Sequence, residues 1–401
     1  MHLLFVTQEL GKIPSGVVTV LGQLCKGWPE SDRITVLMNP THWAGSHLRQ
    51  QLQGKNQIDL QRIPAWLMSD NLNAALLRMA RPVRIILRIG LIPVTLIQSL
   101  LLLVWMAFWM KRQGIDGILS HNGGWPGGML NRWSIYAGAL AGVPERVLVI
   151  HNTPLVPTGM ARKAMDALSR TLSGRLATRI VTVSNACRQS LEQEAGFGRS
   201  LEVIYNGISE QPPVSGSETS GAPWGKQHPT IGFVGELHPR KGVHVLVEAL
   251  AGVKAEGELV LIGNGDDEYT EELREAAAQV THPVHFLGFR DDVQELYRWI
   301  DVLVLPSLNF ESFGMVIVEA MRDGIPVICS DFGGMKEVVA DQETGFVVPA
   351  GDAQALGKCL DRLLGDADLR QQMGKAGRQR MEQKFSSASM TDHYVRVFHG
   401  R

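Results

Sequence analysis

The chain carries almost no surplus of either charge: 39 Lys and Arg stand against 40 Asp and Glu, a formal net charge of −1. A globally basic nucleic-acid binder is therefore excluded, and only local basic patches remain to be sought. Cysteine is scarce too. Cys25, Cys187, Cys329 and Cys359 lie far apart, with no Cys-x-x-Cys and no Cys/His cluster. That spacing speaks against a disulfide framework or a structural zinc site and favours a reducing compartment. No repeat of about 20–50 residues recurs, which sets aside solenoids and propellers. A secretory signal is not expected either: Met1–Val6 is apolar but short, lacks a basic flank and stops at Thr7, so it reads as a buried first strand.

Apolar residues and glycine are plentiful. Hydrophobic residues form 45% of 401 and charged residues 20%, enough for two or three folded domains at about 150 residues each. The 42 glycines gather after apolar runs, where backbone must approach a ligand closely. Short β-branched runs, Gly/Asn/Pro breaks and amphipathic stretches alternate, which predicts an α/β fold of βα units with helices on both faces of parallel sheets. Strands are expected over 2–6, 33–38, 117–120, 146–150, 179–183 and 201–205, then over 230–234, 258–262, 284–287, 301–305, 325–329 and 345–348. Between the sets, 211–228 is a linker rich in Pro, Gly, Ser and Thr. The expected domains are thus 1–210 and 229–385, with 386–401 a last helix returning to the first. Two doubly wound, Rossmann-like domains would face each other across a cleft at the carboxyl ends of their strands, where open α/β sheets bind ligands.

No charge occurs from Ile89 to Met110. As one helix this stretch would measure about 33 Å, enough to span a bilayer core. Topology objects, because strands before and after it belong to one sheet. Arg78, Arg81, Arg84 and Arg88 precede it at helical spacing, and Trp105 and Trp109 lie within it. Such a segment suits the interface of an anionic membrane. Peripheral attachment through 78–110 to the inner face of the cytoplasmic membrane is the expectation; a buried helix and a true span are the alternatives.

Two segments carry chemistry. In Ile231–Gly242 a strand ends at a glycine turn, and Arg240 and Lys241 stand just before a helix beginning at Val243. A helix start favours an anion by ~0.3–2 kcal/mol, and the two cations should outweigh it. A solvated basic turn is the plainer reading. In Asp301–Met321 a strand runs into a loop holding Glu311, and Glu319 follows two turns into the next helix. One carboxylate is placed for a ligand's hydroxyls and the other for a second polyol, while the N–H groups of Phe313, Gly314 and Met315 suit a phosphate. Alternatively, Glu311 is a capping acid and Glu319 a surface residue.

The segment Glu311-Ser-Phe-Gly-Met-Val-Ile-Val-Glu319 resembles the E-x7-E motif of retaining GT-B glycosyltransferases, glycosyltransferase family 4 (glycosyl transferases group 1) in particular. The similarity extends from the loop Gly11–Gly16 through Val203–Gly207, Val234–Gly242, Leu287–Asp292 and Cys329–Gly334 to Thr344–Phe346 and Pro349–Asp352. It implies sugar transfer from a nucleotide-diphosphate donor to a lipid-linked or polysaccharide acceptor in cell-surface polysaccharide or lipopolysaccharide synthesis. By position, Glu311 would bind donor-sugar hydroxyls, Glu319 the ribose, and Arg240 and Lys241 the diphosphate. Backbone at Phe289 and Arg290 would meet the base, and amides after Glu311 and around Gly16 would close on phosphate and sugar. His151 matches a histidine near the reacting sugar; His121 and Asn122 are acceptor-side candidates, with a structural role for His121 left open. Neither metal nor other cofactor is expected, since the two cations supply the charge and no Asp-x-Asp pair ends a strand. Glu236 departs from the Arg many relatives carry there, and Gly11-Lys-Ile-Pro-Ser-Gly16 from their double glycine. A GT-B nucleotide-sugar epimerase or phosphorylase, and a non-catalytic nucleotide-binding membrane adaptor, are the alternatives.

Overall fold

A computed structural model describes residues 1–8, 16–38, 48, 52, 54–64, 67, 87, 90–154, 159–194, 197, 201–211 and 221–400. The chain divides into two compact units, one of Met1–Val183, Cys187–Ile204 and Thr391–Arg401, the other of Ser184–Ala186 and Tyr205–Met390.

The first unit is built on seven parallel strands, β1 (His2–Thr7), β2 (Arg33–Met38), β3 (Ile58–Arg62), β4 (Gly117–Asn122), β5 (Glu145–Ile150), β6 (Arg179–Thr182) and β7 (Glu202–Val203). Their order is β3-β2-β1-β4-β5-β6-β7. Helices α1 (Gly16–Gly27), α2 (Ile92–Gln113), α3 (Met129–Ala141), α4 (Met160–Leu176) and α5 (Asn185–Glu194) connect them. Leu3, Leu4, Phe5 and Val6 are fully buried, as a strand covered on both faces requires, each contributing roughly 1.5–3 kcal/mol. The strand order reverses between β1 and β4, whose ends pair as Thr7 with His121. Strand β3 was not among the expected strands: its Ile-Asp-Leu-Gln-Arg sequence is half-buried at the sheet edge and forms no apolar run.

Helix α2 is the uncharged stretch. Leu102, Met106 and Met110 are fully buried, while Leu96, Ile97, Leu100, Val104 and Phe108 are exposed. Gly114, at φ 65°, ends it by donating to the carbonyls of Lys111 and Met110. Residues Pro93–Gln113 are long and apolar enough to cross a membrane, and 22% of the most apolar window is buried. The strands flanking α2 in the chain, β3 and β4, belong to one sheet, so a crossing would tear that sheet apart. Arg78, Arg81, Arg84 and Arg88 lie outside the described residues, as does 212–220 of the linker.

The second unit has six parallel strands, β8 (Thr230–Val234), β9 (Glu258–Ile262), β10 (Val284–Gly288), β11 (Val302–Leu305), β12 (Val327–Ser330) and β13 (Gly345–Val348), in the order β10-β9-β8-β11-β12-β13. Its helices are α6 (Val243–Leu250), α7 (Asp267–Ala277), α8 (Val293–Leu296), α9 (Met315–Arg322), α10 (Met335–Val338), α11 (Ala353–Gly365), α12 (Ala367–Lys384) and α13 (Ser387–His399). Asp366 caps α12 by accepting from the Leu369 N–H at 2.9 Å. The reversal of order falls between β8 and β11. Division of the chain comes at Tyr205 rather than after 210; Tyr205 packs into an aromatic cluster with Phe313 and Phe385, its ring tilted to the first and edge-on to the second, centroids 5.5–6.1 Å apart. Helix α13 belongs to the second unit as far as Met390 and to the first from Thr391. In the first unit Phe398 meets Trp28 at 5.9 Å, and His399 Nε2 lies 2.8 Å from Asp32.

Candidate functional site

In the second unit the groups of interest lie where β8 and β11 end. After β8 the chain forms a single 3-10 turn, Pro239–Lys241, in which His238 Nδ1 accepts from the Arg240 N–H at 3.1 Å. The Arg240 carbonyl accepts from the Leu308 N–H at 2.9 Å, tying this turn to the loop after β11. Gly242 follows at φ 69°, and a Cβ there would come within 2.0 Å of the Pro306 carbonyl oxygen. Only glycine permits that approach.

The result is a specific ion pair. Lys241 Nζ donates to Glu311 Oε2, and the two side chains are 14% and 22% exposed. Glu311 is held in turn by its carbonyl, which accepts from the Gly334 N–H at 2.8 Å. A Cβ on Gly333, at φ 67°, would lie 2.2 Å from that carbonyl oxygen. Arg240 does not join this pair. Its guanidinium donates to Glu236 at 2.9 Å, and both side chains are exposed. Side chains one residue apart in a 3-10 turn diverge by about 120°, so only one of the two cations can face Glu311.

The helix that follows also differs from a surface helix. Glu319 accepts from the Tyr297 hydroxyl at 2.9 Å, and burial raises its pKa above the ordinary 4.5. Burial likewise pushes the Tyr297 hydroxyl well up. Phe313 is buried in the aromatic cluster, so its ring anchors the loop while Gly314, at φ 84°, and Met315 open α9. Phe289 is exposed and its N–H donates to Asn264 Oδ1 at 2.8 Å. The Arg290 side chain grips Asp292, Nε to Oδ1 at 2.7 Å, which lowers the Asp292 pKa. Sequence reading passed over Glu337, yet its carboxylate accepts from the N–H groups of Asn185 (2.9 Å) and Ala186 (2.7 Å), the Asn185 amide (2.9 Å) and the Tyr205 hydroxyl (3.0 Å). The available signal was a carboxylate just beyond the glycine pair Gly333-Gly334.

In the first unit His121 is next to last in β4 and His151 follows β5. His121 Nδ1 lies 2.9 Å from His151 Nε2, and the rings stack at 5.2 Å. Burial depresses both, His151 to about 4 and His121 well below its ordinary 6.5, so both are neutral near pH 7. Asn122 is spent on its own loop, accepting from the Gly128 N–H at 2.8 Å and donating to the Pro126 carbonyl at 3.3 Å. Gly16 opens α1; Gly11–Ser15 before it lie outside the described residues. Among the described residues no group of three or more His, Cys, Asp or Glu side chains is arranged to hold a metal ion.

Comparison with known proteins accounts for nearly all of the chain. Residues 14–211 match Glycosyltransferase Family 4 and residues 219–380 match Glycosyl transferases group 1. A phosphatidyl-myo-inositol mannosyltransferase of Mycobacterium leprae is 34% identical over 224 residues, 54% of this chain and 58% of that protein. The lipopolysaccharide core biosynthesis glycosyltransferase LpsE of Rhizobium meliloti is 30% identical over 171 residues, 42% of this chain and 49% of LpsE. The chain therefore spans less than two thirds of the length of these relatives. The crystal structure of Anabaena Alr3699/HepE in complex with UDP and glucose shares the fold, with a TM-score of 0.71 at 21% identity over 100% of this chain and 99% of that one. With two parallel sheets in the GT-B arrangement of strands and both family matches in sequence order, the chain belongs to glycosyltransferase family 4, the glycosyl transferases group 1.

Proposed function

We propose that the chain is a retaining glycosyltransferase moving a sugar from a nucleotide-diphosphate donor to a lipid-linked saccharide during assembly of cell-surface polysaccharide or lipopolysaccharide. The observation that carries this reading is the Lys241–Glu311 pair, mostly buried and set at the carboxyl ends of β8 and β11. Breaking a sugar–diphosphate bond leaves positive charge at the anomeric carbon and negative charge on the departing phosphate. Lys241 and the N–H groups at the start of α9 are already fixed, so they stabilise that phosphate without reorganising. Glu311 trades part of its pairing with Lys241 for donor hydroxyls, and Glu319 takes the ribose. Arg240 joins by leaving Glu236, an exposed pair worth only ~0–1 kcal/mol. His151 orients the sugar. The acceptor oxygen bonds to the anomeric carbon on the face the phosphate leaves, and its proton passes to that phosphate.

These cations make a metal unnecessary in the proposed reaction. The exposed apolar side of α2, with the arginines before it, docks the enzyme on the anionic inner face of the cytoplasmic membrane. The first test pairs Glu311→Ala with a transfer assay, circular dichroism and the anomeric configuration of the product. Transfer should fall at least a hundredfold with the fold intact, survive a chelator, and give a retained anomer. Undiminished transfer by Glu311→Ala would remove the site assignment, and an inverted anomer the mechanism.

A further inference from the structure

The histidine pair in the first unit holds information about proton placement. His121 is 1% exposed and His151 8%. Their positions are set by the sheet and its covering helix: the Asn131 amide donates to the His121 carbonyl at 2.7 Å, and the His151 N–H donates to the Asn122 carbonyl at 2.9 Å. The Tyr394 ring stands 6.3 Å from His121, tilted to it by 52°. Two ring nitrogens at 2.9 Å require one proton between them, since two lone pairs repel and two N–H groups collide.

The other nitrogen of His121 decides whose proton it is. His121 Nε2 is buried and has no hydrogen-bond partner among the described residues. Were His121 the acceptor, its own proton would sit on Nε2 as an orphaned buried donor, the rarer and costlier arrangement. With the proton on Nδ1, that proton is satisfied by His151 and Nε2 keeps only a bare lone pair.

We infer that His121 donates its Nδ1–H to His151 Nε2 and so fixes His151 as the Nδ1–H tautomer. His121 is then a positioning residue. His151, its acceptor nitrogen occupied, offers a donor from Nδ1 and holds a sugar or phosphate oxygen; it takes no proton from the acceptor. This assignment of work to His151 rests on the glycosyltransferase reading above, whereas the tautomer itself can be observed without turnover.

The experiment is nitrogen NMR of the full chain labelled with 15N-histidine, with His151 identified by its loss in His151→Asn. His151 should show a protonated, pyrrole-type Nδ1 and an unprotonated, pyridine-type Nε2. In His121→Leu the two tautomers should mix and kcat should fall about tenfold, the worth of one positioned hydrogen bond, with little change in donor KM. His121→Asn, whose amide can donate from nearly the same place, should restore the Nδ1–H signal and most of the rate. A wild-type His151 protonated at Nε2 overturns the inference whatever the activity. A correct tautomer with full transfer by His151→Ala leaves the proton assignment standing and removes the role of His151 in the reaction.

Discussion

Replacing Lys241 with methionine keeps the stem of the side chain and removes its charge, which separates its service to the fold from its service to the donor. Breaking a fully buried pair from one side costs about 3–5 kcal/mol, and an exposed pair ~0–1 kcal/mol. Side chains 14% and 22% exposed lie between these limits, so the loss should be about 2 kcal/mol. For a unit of this size that corresponds to a fall in Tm of about 4–8 °C. Glu311→Gln should lose a similar amount by stranding Lys241. The double variant leaves no uncompensated charge, and its loss should be about 1–2 kcal/mol smaller than the sum of the singles. Transfer should respond differently, because removing a preorganised charge opposite the leaving phosphate costs roughly 10²–10³-fold in kcat/KM and neutralising Glu311 returns none of it. Differential scanning fluorimetry and steady-state transfer on all four proteins test both halves. Additive stability losses would refute the ion pair, and wild-type kcat/KM in Lys241→Met would refute its part in catalysis.

Other perturbations follow from the same geometry. Burial holds the His151 pKa at about 4 and His121 also below 6.5, so the unfolded chain binds more protons between these values and stability should drop as pH falls from 6.5 towards 4. Tm measured against pH should show a shallower decline in His121→Asn. Arg240→Ala should raise the donor KM by only about 3–10-fold, while Glu236→Ala, which frees Arg240, should lower it; both are read from initial rates. On α2, Leu100→Glu with Val104→Glu changes exposed positions and should abolish co-sedimentation with anionic vesicles at little change in Tm, whereas Leu102→Ala on the buried side should cost about 2–5 kcal/mol. Raised salt should weaken vesicle binding of the wild-type chain.

The strands were readable because parallel strands buried on both faces are written as unbroken apolar runs, as in Val147–Ile150 and Val302–Leu305. Strand β3 escaped because an edge strand needs no such run. Helix α2 shows a different limit. Leu102, Met106 and Met110 face inwards at intervals of four, but Leu100, Val104 and Phe108 recur at the same interval and face outwards. Where both sides are apolar, periodicity has no polar phase and cannot say which side packs. The histidine contact was likewise hidden, since it depends on the register of β4 against β5, in which Asn122 lies opposite Ile150.

Arg240 and Lys241 mark the boundary most sharply. Adjacent in sequence, they read as one basic unit, yet the turn sends Lys241 to Glu311 and Arg240 to Glu236. Glu236 departs from the arginine that the family resemblance implies at its position. In the folded chain its carboxylate instead draws the guanidinium of Arg240 back by four residues. In the proposed reaction Glu236 and the second cation therefore work as a pair: Glu236 holds Arg240 at the edge of the site by an exposed bond worth only ~0–1 kcal/mol, which a diphosphate would displace. In that arrangement Lys241 is the resident charge of the site and Arg240 the recruited one. The donor affinity of Glu236→Ala, measured beside that of Glu236→Arg, should then move in the same direction, because each leaves a guanidinium free at that edge.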